Sequence, residues 1–331
     1  MYRTITKRIS LFLALLILCC NLCACSSSNS NLLMPYTKND SLARNNSMIY
    51  GKSSKAGTMS SSIAVVTGTD SEEKIENITA ECALLVDKTN KKVIYESNST
   101  QKLYPASITK ILTALVVLKE KKTKDTVTVS KAAVELTWPG AKMCGFEEGD
   151  TIAMKDLLYA LLLHSGNDAG VAIADHISGS EEEFAKKMNK LAKQLGATNS
   201  NFINSHGLPN DEHYTSGYDL YLIFNECLKY DLFKEIINTK SYSIKYADKD
   251  GNEKTLDFSN TNLFLNGTYK VNNENITVWG GKTGTTDKAG KCLILYSTNA
   301  LTEDEYISVI LKAPNYEGLY KQMSSLLDLA Q

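Results

Sequence analysis

Short apolar runs stand at both ends of the body of this chain, and the stretch between them changes to a three- and four-residue repeat. Near the start, Cys82-Ala-Leu-Leu-Val-Asp87 and Lys92-Val-Ile-Tyr-Glu96 flank the polar segment Lys88-Thr-Asn-Lys91, the pattern of a hairpin. Near the end, Ile276–Trp279, Cys292–Tyr296 and Tyr306–Leu311 are separated by short polar turns, which favours antiparallel pairing. Between these groups Ile111, Leu112, Leu115, Val116 and Leu118 keep helical spacing, as do Leu157, Leu158, Leu161 and Leu162. Further helices are expected over 169–178, 181–195 and 217–229, with Ser216 opening the last in capping-box spacing to Asp219. A closing helix over 315–330 carries Leu319, Met323, Leu326 and Leu327. Strands at both ends, helices in the middle and a final helix describe an α+β domain. The chain ends share one antiparallel five-stranded sheet flanked by helices, and the middle forms a helical lobe. A cleft between sheet and lobe is the expected binding site.

The N-terminus obeys other rules. Arg3, Lys7 and Arg8 precede an apolar run from Ile9 to Cys20, followed by Leu22-Cys23-Ala24-Cys25. A basic head, a short apolar core and a small residue before the break make a secretory signal. The run is too short for a membrane span of about 20 residues. Its Leu-x-Ala-Cys ending resembles the bacterial lipobox, which implies lipid attachment at Cys25, with more than one acyl chain needed for stable anchoring. The stretch from Ser26 to Lys74 is rich in Ser, Asn, Lys and Thr, with little apolar periodicity, and cannot bury enough surface to offset its ordering entropy. The expected organisation is a signal over 1–25, a flexible linker over 26–75 and one folded body over 76–331.

Composition excludes more than it identifies. The 331 residues carry 36 basic and 37 acidic side chains, a formal charge of −1, and 43% are apolar. That is globular composition with no electrostatic footprint for nucleic acid. Of eight cysteines, Cys82, Cys144, Cys227 and Cys292 are scattered through the body without a CxxC or metal spacing, as expected of buried free thiols. His164, His176, His206 and His213 form no metal-binding signature, so no metal and no cofactor is expected.

Three short motifs carry chemistry. Tyr104-Pro105-Ala106-Ser107-Ile108-Thr109-Lys110 enters an apolar helix with Lys110 three residues beyond Ser107, over the same face. A serine is a poor nucleophile until a base takes its proton, and a neutral lysine serves as that base. Lysine becomes neutral near pH 7 when desolvated or crowded by another cation, so a second positive group is expected nearby. Ser165-Gly166-Asn167 closes the helix of Leu157–Leu163, with Gly166 supplying the positive φ of a helix end and both polar side chains projecting from the lobe. Trp279-Gly-Gly-Lys282-Thr283-Gly284-Thr285 lies on a strand, where glycines admit close approach and an open edge accepts an extended peptide. Lys282 supplies the second cation, and the Thr283 and Thr285 hydroxyls suit a carboxylate. Singly, each motif has an ordinary structural explanation, and Ser71 and Lys74 repeat the first spacing in a charged setting.

The trio in this order is a known catalytic set of serine penicillin-recognising enzymes. The chain from about 76 to 331 resembles the D-alanyl-D-alanine carboxypeptidases, the low-molecular-weight penicillin-binding proteins of bacteria. Leu163-His-Ser-Gly-Asn-Asp-Ala169, Asn204-Ser-His-Gly-Leu-Pro209 and Ala289-Gly-Lys-Cys-Leu293 add to the likeness. The resemblance implies a β-lactamase/transpeptidase-like fold and a peptidoglycan stem peptide ending in D-Ala-D-Ala as substrate. It implies Ser107 as nucleophile, Lys110 as its base and Ser165 as proton relay to the leaving amine. Asn167, Lys282, Thr283 and Thr285 would bind substrate, and the backbone N–H groups of Ser107 and Thr285 would form the oxyanion hole. β-Lactam antibiotics would acylate the same serine. The implied location is the outer face of the bacterial cytoplasmic membrane, held by the lipid, or else secretion. Many relatives carry a second β-rich domain and a C-terminal anchor, whereas this sequence ends at Gln331, and the N-terminal lipid is expected to replace that anchor.

Two rival functions share some of these features. A serine β-lactamase uses the same motifs, but one major class needs a Glu-x-x-Leu-Asn setting that is missing here. A non-catalytic sensor of peptidoglycan or penicillin would have no need of the Ser107–Lys110 pair.

Overall fold

The computed structural model of the protein describes residues 63–72 and 74–331. The signal over 1–25, Cys25 and most of the linker lie outside the described residues.

Strands β1 (Cys82–Asp87) and β2 (Lys92–Ser97) form the expected hairpin. A 3₁₀ turn, Ala106–Thr109, runs into α1 (Lys110–Lys119), followed by β3 (Thr126–Thr128), α2 (Lys131–Val134), β4 (Thr151–Ala153) and α3 (Met154–Tyr159). A π-helical turn, Ala160–His164, leads to α4 (Asn167–Ser178) and α5 (Glu181–Gln194). Next come α6 (Gly217–Cys227), α7 (Asp231–Asn238), β5 (Ser241–Ala247) and β6 (Glu253–Ser259). The chain closes with β7 (Ile276–Thr286), β8 (Gly290–Asn299), β9 (Glu305–Ala313) and α8 (Tyr316–Leu327).

The five-stranded sheet has the order β2-β1-β9-β8-β7, antiparallel throughout, so the two chain ends pair at β1 and β9. Side-chain alternation divides its two faces. Leu84, Val86, Ile294 and Val309 face the core of the helical lobe, while Ala83, Leu85, Leu293 and Ile310 pack beneath Leu319, Met323, Leu326 and Leu327 of α8. The six residues of β1 are buried, the signature of a strand covered on both sides. Helix α1 is buried on every side from Lys110 to Leu118, with only Lys110 and Thr113 polar in that stretch, so it forms the axis of the lobe.

Four findings depart from expectation. A second sheet, β3-β4-β5-β6, lies in the lobe. Its hairpin hides in the alternation of Tyr242, Ile244 and Tyr246 with polar residues, which contains no apolar run. Helix α7 was also not anticipated. The end of the supposed linker is packed: Ala64 and Val66 are buried, and the Ala64 N–H donates to the Tyr221 hydroxyl at 3.0 Å. Finally, the helix expected over Leu157–Leu163 changes from α to π geometry after Tyr159.

Candidate active site

The 3₁₀ turn and α1 place Lys110 directly over Ser107. Lys110 is fully buried, and its Nζ lies 3.0 Å from Ser107 Oγ, 2.7 Å from Asn167 Oδ1 and 2.7 Å from the His206 carbonyl oxygen. A proton count follows from these partners. The last two can only accept, so a neutral amine spends both its N–H groups on them, and its lone pair then points at the Ser107 hydroxyl. Burial is the main force lowering the Lys110 pKa from 10.5 to about 7. The charge of Lys142 pushes the same way, and Cys144, Asp168 and Glu181 oppose it. Ser107 itself is half-buried and stays within reach of a substrate.

Ser165 and Asn167 are only 6% and 3% exposed, so they do not project into solvent as the sequence suggests. The left-handed residue of their turn is also not the glycine. Ser165 has φ 73°, whereas Gly166 has φ −60°. The Gly166 N–H donates to the Ala160 carbonyl at 3.0 Å and so closes the π turn, one residue wider than the usual left-handed helix end. Glycine is required there for space, since a Cβ would stand 2.1 Å from Cys144 Sγ. This closure turns the Ser165 hydroxyl toward Lys282, whose Nζ donates to it at 2.9 Å and to the Thr283 carbonyl at 3.0 Å.

Lys282 lies on β7, the edge strand of the main sheet. A Cβ on Gly284 would come within 2.8 Å of the Pro105 carbonyl and 3.2 Å of Ala106 Cβ, so glycine lets β7 lie against the Ser107 turn. The backbone amides of Ser107 and Thr285 belong to these two abutting segments. Thr283 Oγ1 pairs with Thr261 Oγ1 at 2.7 Å, and the exposed Thr285 pairs with the Tyr316 hydroxyl at 3.1 Å. Lys282 is 1% exposed, and its pKa falls well below 10.5 through burial first, then the charges of Lys110 and Lys142. The cation whose charge lowers the Lys110 pKa is therefore Lys142, in place of the expected Lys282.

Lys142 belongs to none of the three motifs, and no spacing marks it. It is brought in by Asp168, whose buried carboxylate accepts from the backbone N–H groups of Cys144 and Gly145, and by the Asn167 N–H, which donates to the Lys142 carbonyl at 2.8 Å. His206 also gained a role: its carbonyl seats Lys110, while its ring pairs with Glu181 and accepts from the Leu208 N–H. Cys82, Cys144, Cys227 and Cys292 are buried and unpaired. A surface cavity of about 360 Å³ near Trp279 is lined by none of the candidate residues.

Two serine–lysine pairs, Ser107 with the buried Lys110 and Ser165 with Lys282 of the edge strand β7, define a serine acyl-transfer class of site. The sequence pattern of the D-alanyl-D-alanine carboxypeptidase family, peptidase S11, matches residues 67–315, and the chain belongs to that family. It is 34% identical over 258 residues to the D-alanyl-D-alanine carboxypeptidase DacF of Bacillus subtilis, a match covering 76% of this chain and 62% of that one. With DacC of Escherichia coli K12, of the same activity name, it shares 34% identity over 77% of this chain and 62% of that one. The chain thus spans somewhat less than two thirds of these relatives. Its fold is similar to the crystal structure of the Streptomyces K15 DD-transpeptidase, with a TM-score of 0.70 and 27% identity, covering 76% of this chain and 97% of that one.

Proposed function

We propose that the protein is a serine-type D-alanyl-D-alanine carboxypeptidase that removes the terminal D-alanine of peptidoglycan stem peptides. The observation that carries this reading is the environment of Lys110: a buried amine, neutral above about pH 7, with its free lone pair aimed at a reachable serine hydroxyl. Lys110 takes the Ser107 proton as Oγ bonds to the carbonyl carbon between the two D-alanines. The oxyanion sits between the backbone N–H groups of Ser107 and Thr285. The C–N bond then breaks, and the leaving amine takes its proton from the Ser165 hydroxyl, which Lys282 holds in place. Asn167 has committed its oxygen to Lys110, so its amide N–H groups are left to bind the peptide backbone. The open edge of β7 receives the peptide as an added strand, and Lys282, Thr283 and Thr285 hold its terminal carboxylate. Water then attacks the acyl carbonyl, giving one proton to the Ser165 oxygen while Lys110 returns its proton to Ser107 Oγ, so the acid is released with both hydroxyls restored. β-Lactams enter the same path and stall at the acyl-enzyme.

We assign the protein to the outer face of the cytoplasmic membrane, tethered through a lipid on Cys25. The lipobox-like Leu22–Cys25 supports this. Labelling with a radioactive fatty acid tests it: incorporation that survives Cys25→Ser refutes the tether. For the activity, purified protein is incubated with a diacetyl-Lys-D-Ala-D-Ala peptide and D-alanine is followed. Release by wild type and none by Ser107→Ala is the expected result. Stable penicillin labelling without release would point to a sensor, and rapid penicillin destruction to a β-lactamase.

A further inference from the structure

We propose that Thr109 and His213 form a clamp that holds the nucleophile's turn in its reactive shape, which makes both of them positioning residues. The reason for a clamp lies one residue before Ser107. Ala106 has φ 48°, the left-handed region that a side chain with a Cβ disfavours, and such strain persists only where the surroundings over-determine it. Here the surroundings are specific. Thr109 Oγ1 donates to the Ala106 carbonyl oxygen at 2.8 Å. With its one proton spent, that hydroxyl can only accept from His213 Nε2, 2.9 Å away. The Ile203 N–H donates to His213 Nδ1 at 3.1 Å, which leaves the ring proton on Nε2, facing Thr109.

The chain therefore runs in one direction, from Ile203 through the imidazole and the hydroxyl to the carbonyl of the strained residue. His213 is 1% exposed, and burial first, then His206, keeps it neutral, with a pKa of about 3. The ring orients and does not titrate near neutrality. A further contact comes from the same loop: Gly207 has φ 90°, and a Cβ there would stand 1.9 Å from the Ala106 oxygen. Since the neighbouring His206 carbonyl also seats Lys110, loop 203–213 grips the turn of the nucleophile and the base together. Released, Ala106 would relax toward negative φ and carry the Ser107 hydroxyl and N–H with it.

This inference rests on the proposed acyl-transfer reading, and the test separates the two. Full-length protein is reacted with a fluorescent penicillin, and the acylation rate constant is resolved from the dissociation constant of the preceding complex. If wild type is not acylated, the functional reading fails. If it is, Thr109→Val is expected to lower the acylation rate constant roughly 30-fold with little change in that dissociation constant. Thr109→Ser, which keeps the hydroxyl, restores most of the rate. In an Ala106→Gly background, where positive φ carries no strain, Thr109→Val should lose less than about fivefold. The acid limb of the pH–rate profile stays in place, because the clamp moves no proton. Should Thr109→Val not fold, His213→Gln and His213→Leu decide: Gln retains the donor and stays within about threefold of wild type, whereas Leu does not. Thr109→Val at more than half the wild-type rate, equal losses in both Ala106 backgrounds, or equal rates for the two His213 variants overturn the clamp.

Discussion

Ser107 finds Lys110 three residues along one helical turn, whereas Ser165 is met by Lys282 from 117 residues away. The first distance is 3.0 Å and the second 2.9 Å, so the contacts are alike and their origins are not. Local spacing brings the first pair together, since a turn places positions i and i+3 on one face, and the contacts from loop 203–213 then hold it there. The second needs a π turn closed through a left-handed serine, and an edge strand with a glycine thin enough to lie on the Ser107 turn. What unites them is dehydration. Both amines are buried, and burial is the largest cause of their lowered pKa values. A nucleophile and base can thus be written into a few residues, while the group that serves the leaving amine has to be assembled by the fold.

Four measurements bear on that contrast. Ser107→Ala should have the largest effect, lowering D-alanine release and penicillin acylation by roughly 10⁴-fold or more, because among the described residues Ser107 supplies the hydroxyl bonded to Lys110. Ser165→Ala removes only the proton path to the leaving group, and its expected loss is about 10²–10³ in kcat/KM. A loss equal to that of Ser107→Ala would erase the distinction between the pairs. Asp168→Ala strands the buried backbone N–H of Cys144, releases that of the exposed Gly145, and should cost about 2 kcal/mol in urea unfolding. An unfolding midpoint unchanged by that substitution would mean that the Ser165 turn does not depend on its tertiary anchor.

The smallest effect concerns pH. The reaction needs neutral Lys110, so kcat/KM should fall tenfold per unit below about pH 7 and level off above it. Lys142→Gln removes a like charge, eases protonation of Lys110 and moves this acid limb upward by a few tenths of a unit. A shift downward, or none, would show that burial acts without help from Lys142.

Much of the fold was legible because its signals are local. The β1–β2 hairpin lies where the apolar runs and polar turn place it, and the Ser216 hydroxyl accepts from the Asp219 N–H at 3.1 Å at the head of α6, as its capping spacing implies. The second sheet was not read, since β5 and β6 alternate without an apolar run and β4 meets β5 at a single pair, Thr151 and Ala247. In the site, the three motifs named the residues that the structure brings together at Lys110 and Lys282. The left-handed conformation of Ser165 escaped, because Gly166 beside it is the residue that propensity favours. Lys142 escaped because its place depends on a buried carboxylate 26 positions onward.

The order of residues sets the alternating sheet faces, the mainly apolar helix α1 and the Ser107–Lys110 spacing, since each depends only on neighbours a few positions apart. Tertiary structure alone decided which lysine would be dehydrated, which cation would lie beside it and how the Ser165 hydroxyl would turn. Those outcomes depend on the exclusion of water and on backbone donors reached across the fold, and neither quantity exists until the chain has packed.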